Sequence, residues 1–485
     1  MVASSASTTA DKAAPSAPWE SAPAHEQLFV LITGANSGVG LGTAQRLVDE
    51  FLATRGPAAH LVLLATTRSA AKAREAIREV RAHARRVAAR LYGAGGRCAC
   101  RDAVARIHVL GLTLDLCDLA GVRAFARRLV RGVPRLDCVV FNAAYGGWEG
   151  CNYLLAVWSI LTKGLIQSVT WPDFKTALPT AILNEQRQSY GYYPASPLLG
   201  EVFTACVFGH YMLAHELLPL LSRRPPLSSS TPALAPGRIV WSSSLEAVSR
   251  VFSPDDFQCL NGPAAYESAK RLTDVLALTH SLPAARPYSS RWLTMDHDDN
   301  DDDEKKTQQP PVVQPPKVYL THPGIVASTL FPVPWFLFWA YELSLILSRW
   351  LGSPWHTVDG YSGAKAAVWL ALEPQDALDD ARAHRVKWGS SSDRHRRVHV
   401  KKTEVEGWGW EGRVQVVGAH DDDDAAASPY QVLRKSIGRK HGVVDATAED
   451  IVRFEELGAT CWREVEEMRA TWEAILDKEE LAKDV

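Results

Sequence analysis

A doubly wound α/β fold, with a parallel sheet covered by helices on both faces, is what this 485-residue sequence predicts, and three observations predict it. Short, continuously apolar runs recur along the chain, as strands buried on both faces of a parallel sheet require. Stretches of helical length and period separate them. The first run passes directly into a glycine-rich turn and from there into a helix. With 46% apolar residues the chain can fill a large core. Its net charge of -2 gives no whole-surface attraction to nucleic acid.

The elements follow in order. Leu28 to Thr33 reads as the first strand, and the turn Thr33-Gly34-Ala35-Asn36-Ser37-Gly38-Val39-Gly40 opens a helix over Leu41 to Leu52. Glycines there let backbone approach a pyrophosphate at the helix N-terminus, where free N–H groups favour anions. Leu61 to Ala65 is the second strand and ends in Thr66-Thr67-Arg68. An acidic residue at that point would bind the ribose hydroxyls of NAD, whereas an arginine pairs with a 2'-phosphate, so Arg68 favours NADP(H) over a merely solvated charge. A basic helix over 69–90 and a Gly- and Cys-containing loop from Gly93 to Arg101 lead to a third strand, Ile107 to Leu114. Asp115 after it is placed to accept from an adenine amino group or to cap the next helix.

Leu136 to Phe141 is the fourth strand, and the small residues of Asn142-Ala143-Ala144 let a ribose and nicotinamide lie against the backbone. An aromatic-rich insertion spans 147–200, with Trp148, Trp158, Trp171, Tyr190, Tyr192 and Tyr193 either walling a lipophilic pocket or packing their own small core. Glu201 to Ser222 is an apolar helix. Arg238 to Trp241 then delivers Ser242-Ser243-Ser244 to the sheet edge, where a hydroxyl can hold a substrate oxygen; the residues leave open which serine does so.

Tyr266 and Lys270 share one face of the next helix, so an ammonium can lower the pKa of a phenol that donates a proton. A polar insertion over 282–316, including the acidic run Asp296 to Glu304, reads as solvated loop. Lys317 to Thr321 is the sixth strand. The apolar stretch Leu330 to Leu351 carries Glu342, Arg349 and two prolines, which suits a lid or an interfacial helix better than a spanning one. The last 40 residues form an amphipathic helix with Phe454, Leu457, Trp462, Val465, Met468, Trp472 and Ile475 on one side, expected to dock on the core. Eight cysteines without CxxC or zinc-ligand spacing read as reduced thiols of an intracellular protein, with no metal. Residues 1–26, rich in Ala, Ser and Pro, read as a disordered tail.

In this order the glycine turn, Asn142-Ala143-Ala144, the serines and Tyr266-x-x-x-Lys270 resemble the short-chain dehydrogenase/reductase family, with its Rossmann-type fold, over roughly residues 27–330. Within it, Trp241-Ser-Ser-Ser-Leu-Glu-Ala, Tyr266-Glu-Ser-Ala-Lys-Arg-Leu, His322-Pro-Gly-Ile-Val-Ala, Gly352-Ser-Pro-Trp-His, Lys387-Trp-Gly-Ser and Thr403-Glu-Val-Glu-Gly-Trp-Gly resemble the fungal 3-ketosteroid reductases of ergosterol biosynthesis. The resemblance implies NADPH-dependent reduction of the 3-keto group of a C-4-demethylated sterol. It implies a sterol ketone substrate, a sterol C-4 demethylation complex as partner, and a peripheral seat on the endoplasmic reticulum membrane or lipid droplet. Carried over, Tyr266 is the proton donor, Lys270 its tuner and a ribose ligand, and Ser244 the ketone's orienting group. Thr33, Gly34, Asn36, Ser37, Gly38, Gly40, Arg68, Asp115 and Asn142 hold the cofactor, with Pro323, Gly324, Ile325, Val326 and Ser328 on its nicotinamide side.

The implied domain occupies 27–330, with 331–485 a lid or membrane-facing segment and C-terminal helices packed on it. Two departures stand out. The family's asparagine before the fifth strand falls at Cys206, which weakens any proton relay anchored there. Ser244 and Tyr266 are 22 apart, so Val248 to Ala265 must loop over the site. Beside this reading stand a reductase of another lipophilic ketone, such as a 17-ketosteroid or retinal, and a non-catalytic scaffold for sterol enzymes.

Overall fold

The apolar runs assemble into one twisted sheet, and two further strands extend it. A computed structural model describes residues 17–178, 183, 197–224, 233–294, 313–328, 330–414 and 438–483. The strands are β1 (Gln27–Ile32), β2 (His60–Thr67), β3 (Ile107–Thr113), β4 (Cys138–Phe141), β5 (Arg238–Ser242), β6 (Lys317–His322), β7 (Lys387–Ser392) and β8 (Val398–Thr403). They lie in the order β8-β7-β6-β5-β4-β1-β2-β3. Every neighbouring pair is parallel except β7 with β8. The chain reverses direction across the sheet between β1 and β4, and in open α/β sheets ligands bind at the strand carboxyl ends beside that point. Thr33 and Asn142 follow directly from those two strands.

The pleat sorts the core into two layers. Phe29 and Leu31 face one way with Val139 and Phe141, and they pack on helices Leu119–Gly132 and Ala265–Thr279. Val30, Ile32 and Val140 face the other way, against helices Gly38–Thr54, Ala70–Tyr92 and Lys365–Leu372. The C-terminal helix Ala448–Lys483 lies on the first layer, where Trp462 donates its indole N–H to the Leu276 carbonyl at 3.2 Å. There Tyr211 also donates to Glu466 at 2.7 Å, so this long helix is bolted to the core by polar as well as apolar contacts.

Four expectations change. The sheet does not end at residue 330: β7 pairs in parallel with β6 and belongs to the same sheet as the glycine turn. Gly93 to Arg101 is not all loop, since Gly96–Ala105 is helical and buries Ala103. Part of the expected tail is ordered, because Trp19 sets its ring edge-on to Phe29 and His108. The helix after β3 is capped by Asp118, which accepts from Gly121 N–H at 2.9 Å, while Asp115 accepts from Cys117 N–H within its own turn. The acidic run Asp296 to Glu304 and Tyr190, Tyr192 and Tyr193 lie outside the described residues.

Candidate active site

The glycine turn is built for close approach. Gly34 and Gly38 take φ of 67° and 52°, which glycine adopts without strain. A Cβ on Gly40 would stand 2.2 Å from the Gly34 carbonyl oxygen, so this position tolerates no side chain. A Cβ on Gly38 would meet nothing within 4 Å, which leaves open space over the N-terminus of helix Gly38–Thr54. Ser37 precedes that helix without a side-chain cap, and its first turn holds no acidic residue, so the helix start suits an anion.

Thr33 ties the turn to the strand beside it. Its Oγ1 accepts from the N–H groups of Asn142 and Ala143 at 2.9 and 3.0 Å, and Asn142 Nδ2 donates to the Thr33 carbonyl at 3.1 Å. Buried His210 completes this joint, with Nε2 2.9 Å from Thr33 Oγ1 and Nδ1 3.3 Å from the Cys206 carbonyl. A carbonyl only accepts, so Nδ1 carries the proton and Nε2 receives the Thr33 hydroxyl. Burial pushes the His210 pKa down to about 3, which keeps the ring neutral.

At the ends of β5 and β6 the remaining groups converge. Tyr266 is buried on helix Ala265–Thr279, has the Ser244 hydroxyl beside its phenol, and meets the Trp148 ring edge-on at 4.7 Å. Lys270, one turn on, donates to the Ser242 carbonyl at 2.7 Å and lies 5.6 Å from the Tyr266 ring centre. Ser243 points away: it donates to Asp274 at 2.5 Å. The geometry therefore favours Ser244 over Ser243 as the hydroxyl facing a substrate oxygen. Burial, followed by the charge of Glu246, holds the Tyr266 phenol well above its ordinary pKa rather than below it. Burial pulls Lys270 down.

A buried phenol, a hydroxyl and an ammonium beside a glycine turn open to an anion are what carbonyl reduction with a nicotinamide cofactor requires. The chain's relatives show which reductases it is akin to. It is 56% identical over 481 residues to 3-keto-steroid reductase ERG27 of Gibberella zeae, covering 95% of this chain and 97% of that one. The chain belongs to the 3-keto-steroid reductase family. The Aspergillus fumigatus 3-keto-steroid reductase erg27 is 41% identical over 462 residues, covering 94% of this chain and 96% of that protein. The Schizosaccharomyces pombe one is 30% identical over 386 residues, covering 78% and 90%. No family model matches the chain. Among solved structures, salutaridine reductase from Papaver somniferum aligns at 17% identity over 72% of this chain and 97% of that one, with a TM-score of 0.38.

In this chain the residue at the family's asparagine position has its own geometry. Thr204–Phe208 forms a π-turn inside the helix that begins at Glu201, and Cys206 lies within it. Its sulfur accepts from Tyr145 N–H and donates to the Tyr145 carbonyl, both at 3.4 Å, so it braces the strand exit beside Asn142.

Arg68 is exposed after β2 and makes no ion pair among the described residues, which leaves its guanidinium available. Asn36 donates to Ser37 Oγ at 3.2 Å at the rim of the cradle. Beyond β6, Gly324 takes φ of 74°, and a Cβ there would lie 2.4 Å from the Trp355 carbonyl. Ile325 has both backbone groups engaged, N–H to Trp355 and carbonyl to Val358, so only its side chain remains for a ligand. Pro323 is held by Thr357, which donates to its carbonyl at 2.9 Å. Val326 and Ser328 are half-buried on the same exit.

Two supports escaped the sequence reading. Lys387 on β7 is buried, donating to the Ser244 carbonyl at 2.7 Å and to Asp274 at 2.6 Å. Segment 355–358 pairs along the exit after β6. Both overlap motifs that carry the family resemblance, Lys387-Trp-Gly-Ser and Gly352-Ser-Pro-Trp-His, but their roles act through partners distant in sequence.

Proposed function

We propose that the protein reduces the 3-keto group of a C-4-demethylated sterol to the 3-beta-hydroxyl with NADPH. The observation that carries the reading is the convergence of Ser244, Tyr266 and Lys270 at the ligand crevice of the sheet, with Lys270 donating to the Ser242 carbonyl and Ser243 turned away to Asp274. The glycine turn, Asn142 and the open helix start fit a dinucleotide, and the free Arg68 fits the additional phosphate of NADP(H). When bound, that cofactor supplies the hydride. Ser244 holds the ketone oxygen and Tyr266 gives it the phenolic proton, which burial keeps in place until the oxyanion develops. Lys270 favours the phenolate left behind.

The same reading includes a lipid surface. Helix Phe338–Trp350 buries Leu345 against Leu245, Ile325 and Trp355, yet it also exposes Trp339, Leu343, Leu347 and Trp350, with Trp335 at 88% exposure just before it. Among the described residues no helix is long and apolar enough to cross a membrane, so the contact would be interfacial. The seat would be the endoplasmic reticulum or a lipid droplet.

A substrate panel tests the reading. Purified protein with NADPH is offered a 3-keto sterol, a 17-ketosteroid and retinal, and products are identified by mass spectrometry. A 3-hydroxysterol as the main product supports it, and turnover confined to the other two ketones sinks it.

A further inference from the structure

Lys175 stands where three segments of the site meet. It comes from a short antiparallel hairpin, Trp148–Cys151 with Lys175–Ala177, inside the insertion after β4. Its ammonium is 3.8 Å from the centre of the Trp148 ring and 5.7 Å from that of Tyr266. It pairs with two carboxylates, Glu246 and Glu267, and its side chain is only 4% exposed. Glu246 is two residues beyond Ser244, and Glu267 immediately follows Tyr266. One cation thus bridges the loop that carries the serine and the helix that carries the tyrosine.

We propose that Lys175 is a positioning residue for reduction: by clamping Glu246 to Glu267 it fixes Ser244 against Tyr266 across the 22-residue gap between them. The connecting chain does not do this, being loop with short 3-10 turns at Ser249–Val251 and Pro254–Asp256, and the ties of Ser242 to Lys270 and Ser243 to Asp274 lie on the far side of Ser244 from Glu246 in the chain. The clamp lines a cavity of about 580 Å³ with Trp148, Trp171, Arg250 and Lys440. Without Lys175 no cation stands between the two carboxyl groups, so either one takes up a proton or they repel, and in both cases the bridge between loop and helix is lost. Tyr266 is also faced by Ser244, Cys206 and Lys270, none of which neutralises Glu246.

The proposal rests on the reductase reading, and its test separates the two. Wild type, Lys175→Met, Lys175→Arg, the Glu246→Gln/Glu267→Gln pair and the triple variant are compared in NADPH-driven ketone reduction and in urea unfolding. Lys175→Met should lower kcat about 10- to 100-fold with the KM for NADPH changed less than about twofold, as a small misplacement of reacting groups does. Lys175→Arg should restore most of the rate, and the triple variant should be faster than Lys175→Met, since no unpaired carboxylates remain. Unchanged kcat in Lys175→Met, or losses that simply multiply in the triple variant, would overturn the clamp. An inactive wild type overturns the reductase reading instead. The unfolding cycle then still judges the clamp, with coupling between Lys175 and the carboxylates expected and additivity against it.

Discussion

The Lys387 ammonium lies 2.6 Å from the Asp274 carboxylate, both almost wholly buried, directly behind the loop of Ser244. Asp274 also receives the Ser243 hydroxyl, and Lys387 donates to the Ser244 carbonyl, so β7, the serine loop and helix Ala265–Thr279 are joined at one point. Removing one partner strands a charge in the interior. Lys387→Met is expected to cost about 3–5 kcal/mol in urea unfolding, and Lys387→Met with Asp274→Leu distinctly less. A single variant as stable as wild type would remove this joint from the account.

Gly40→Ala tests the cradle. The added methyl would fall 2.2 Å from the Gly34 oxygen and 2.6 Å from Asn142 Nδ2, both fixed by the Thr33 joint. The turn must therefore open, and NADPH affinity measured by fluorescence titration should fall at least about tenfold. Gly38→Ala meets no atom, although its φ of 52° is unfavourable for alanine, and should be milder.

Arg68→Ala addresses cofactor choice. With no ion pair to hold it among the described residues, Arg68 has no structural duty to lose. The KM for NADPH should rise about tenfold or more while that for NADH stays within about twofold. Equal changes in both would mean that the 2'-phosphate is read elsewhere.

The pH dependence follows from Glu246. Burial raises its carboxyl to about 7 against the pull of Lys175, so it ionises near neutrality, and once ionised it helps hold the Tyr266 phenol up. Glu246→Gln removes that charge and lets the phenol ionise at lower pH. In the reverse direction, alcohol oxidation, where Tyr266 must be phenolate, the rising limb of the pH–rate profile should move to lower pH. Movement to higher pH would contradict the assignment.

The first six strands were legible because strands buried on both faces read as apolar runs, and the glycine turn because its spacing has one backbone solution. β7 was not: Lys387-Trp-Gly-Ser-Ser-Ser392 looks polar, yet every residue in it is buried. Its side chains are satisfied one by one, Lys387 by Asp274, Ser390 by the Gly363 carbonyl, Ser391 by that of His399 and Ser392 by that of His356. Such pairing is invisible to periodicity. The same holds in the site. Tyr266 and Lys270 are four apart and share a helix face, whereas Lys175 and Lys387 reach their partners across long stretches of chain.

The central claim is that Tyr266 supplies the proton to a sterol ketone. Its most direct measurement is NADPH absorbance with a 3-keto sterol, wild type beside Tyr266→Phe, with cofactor binding checked in both. The account predicts turnover by wild type and a loss of about 10²- to 10⁴-fold in Tyr266→Phe at near-unchanged NADPH affinity. Equal rates in the two proteins would contradict it.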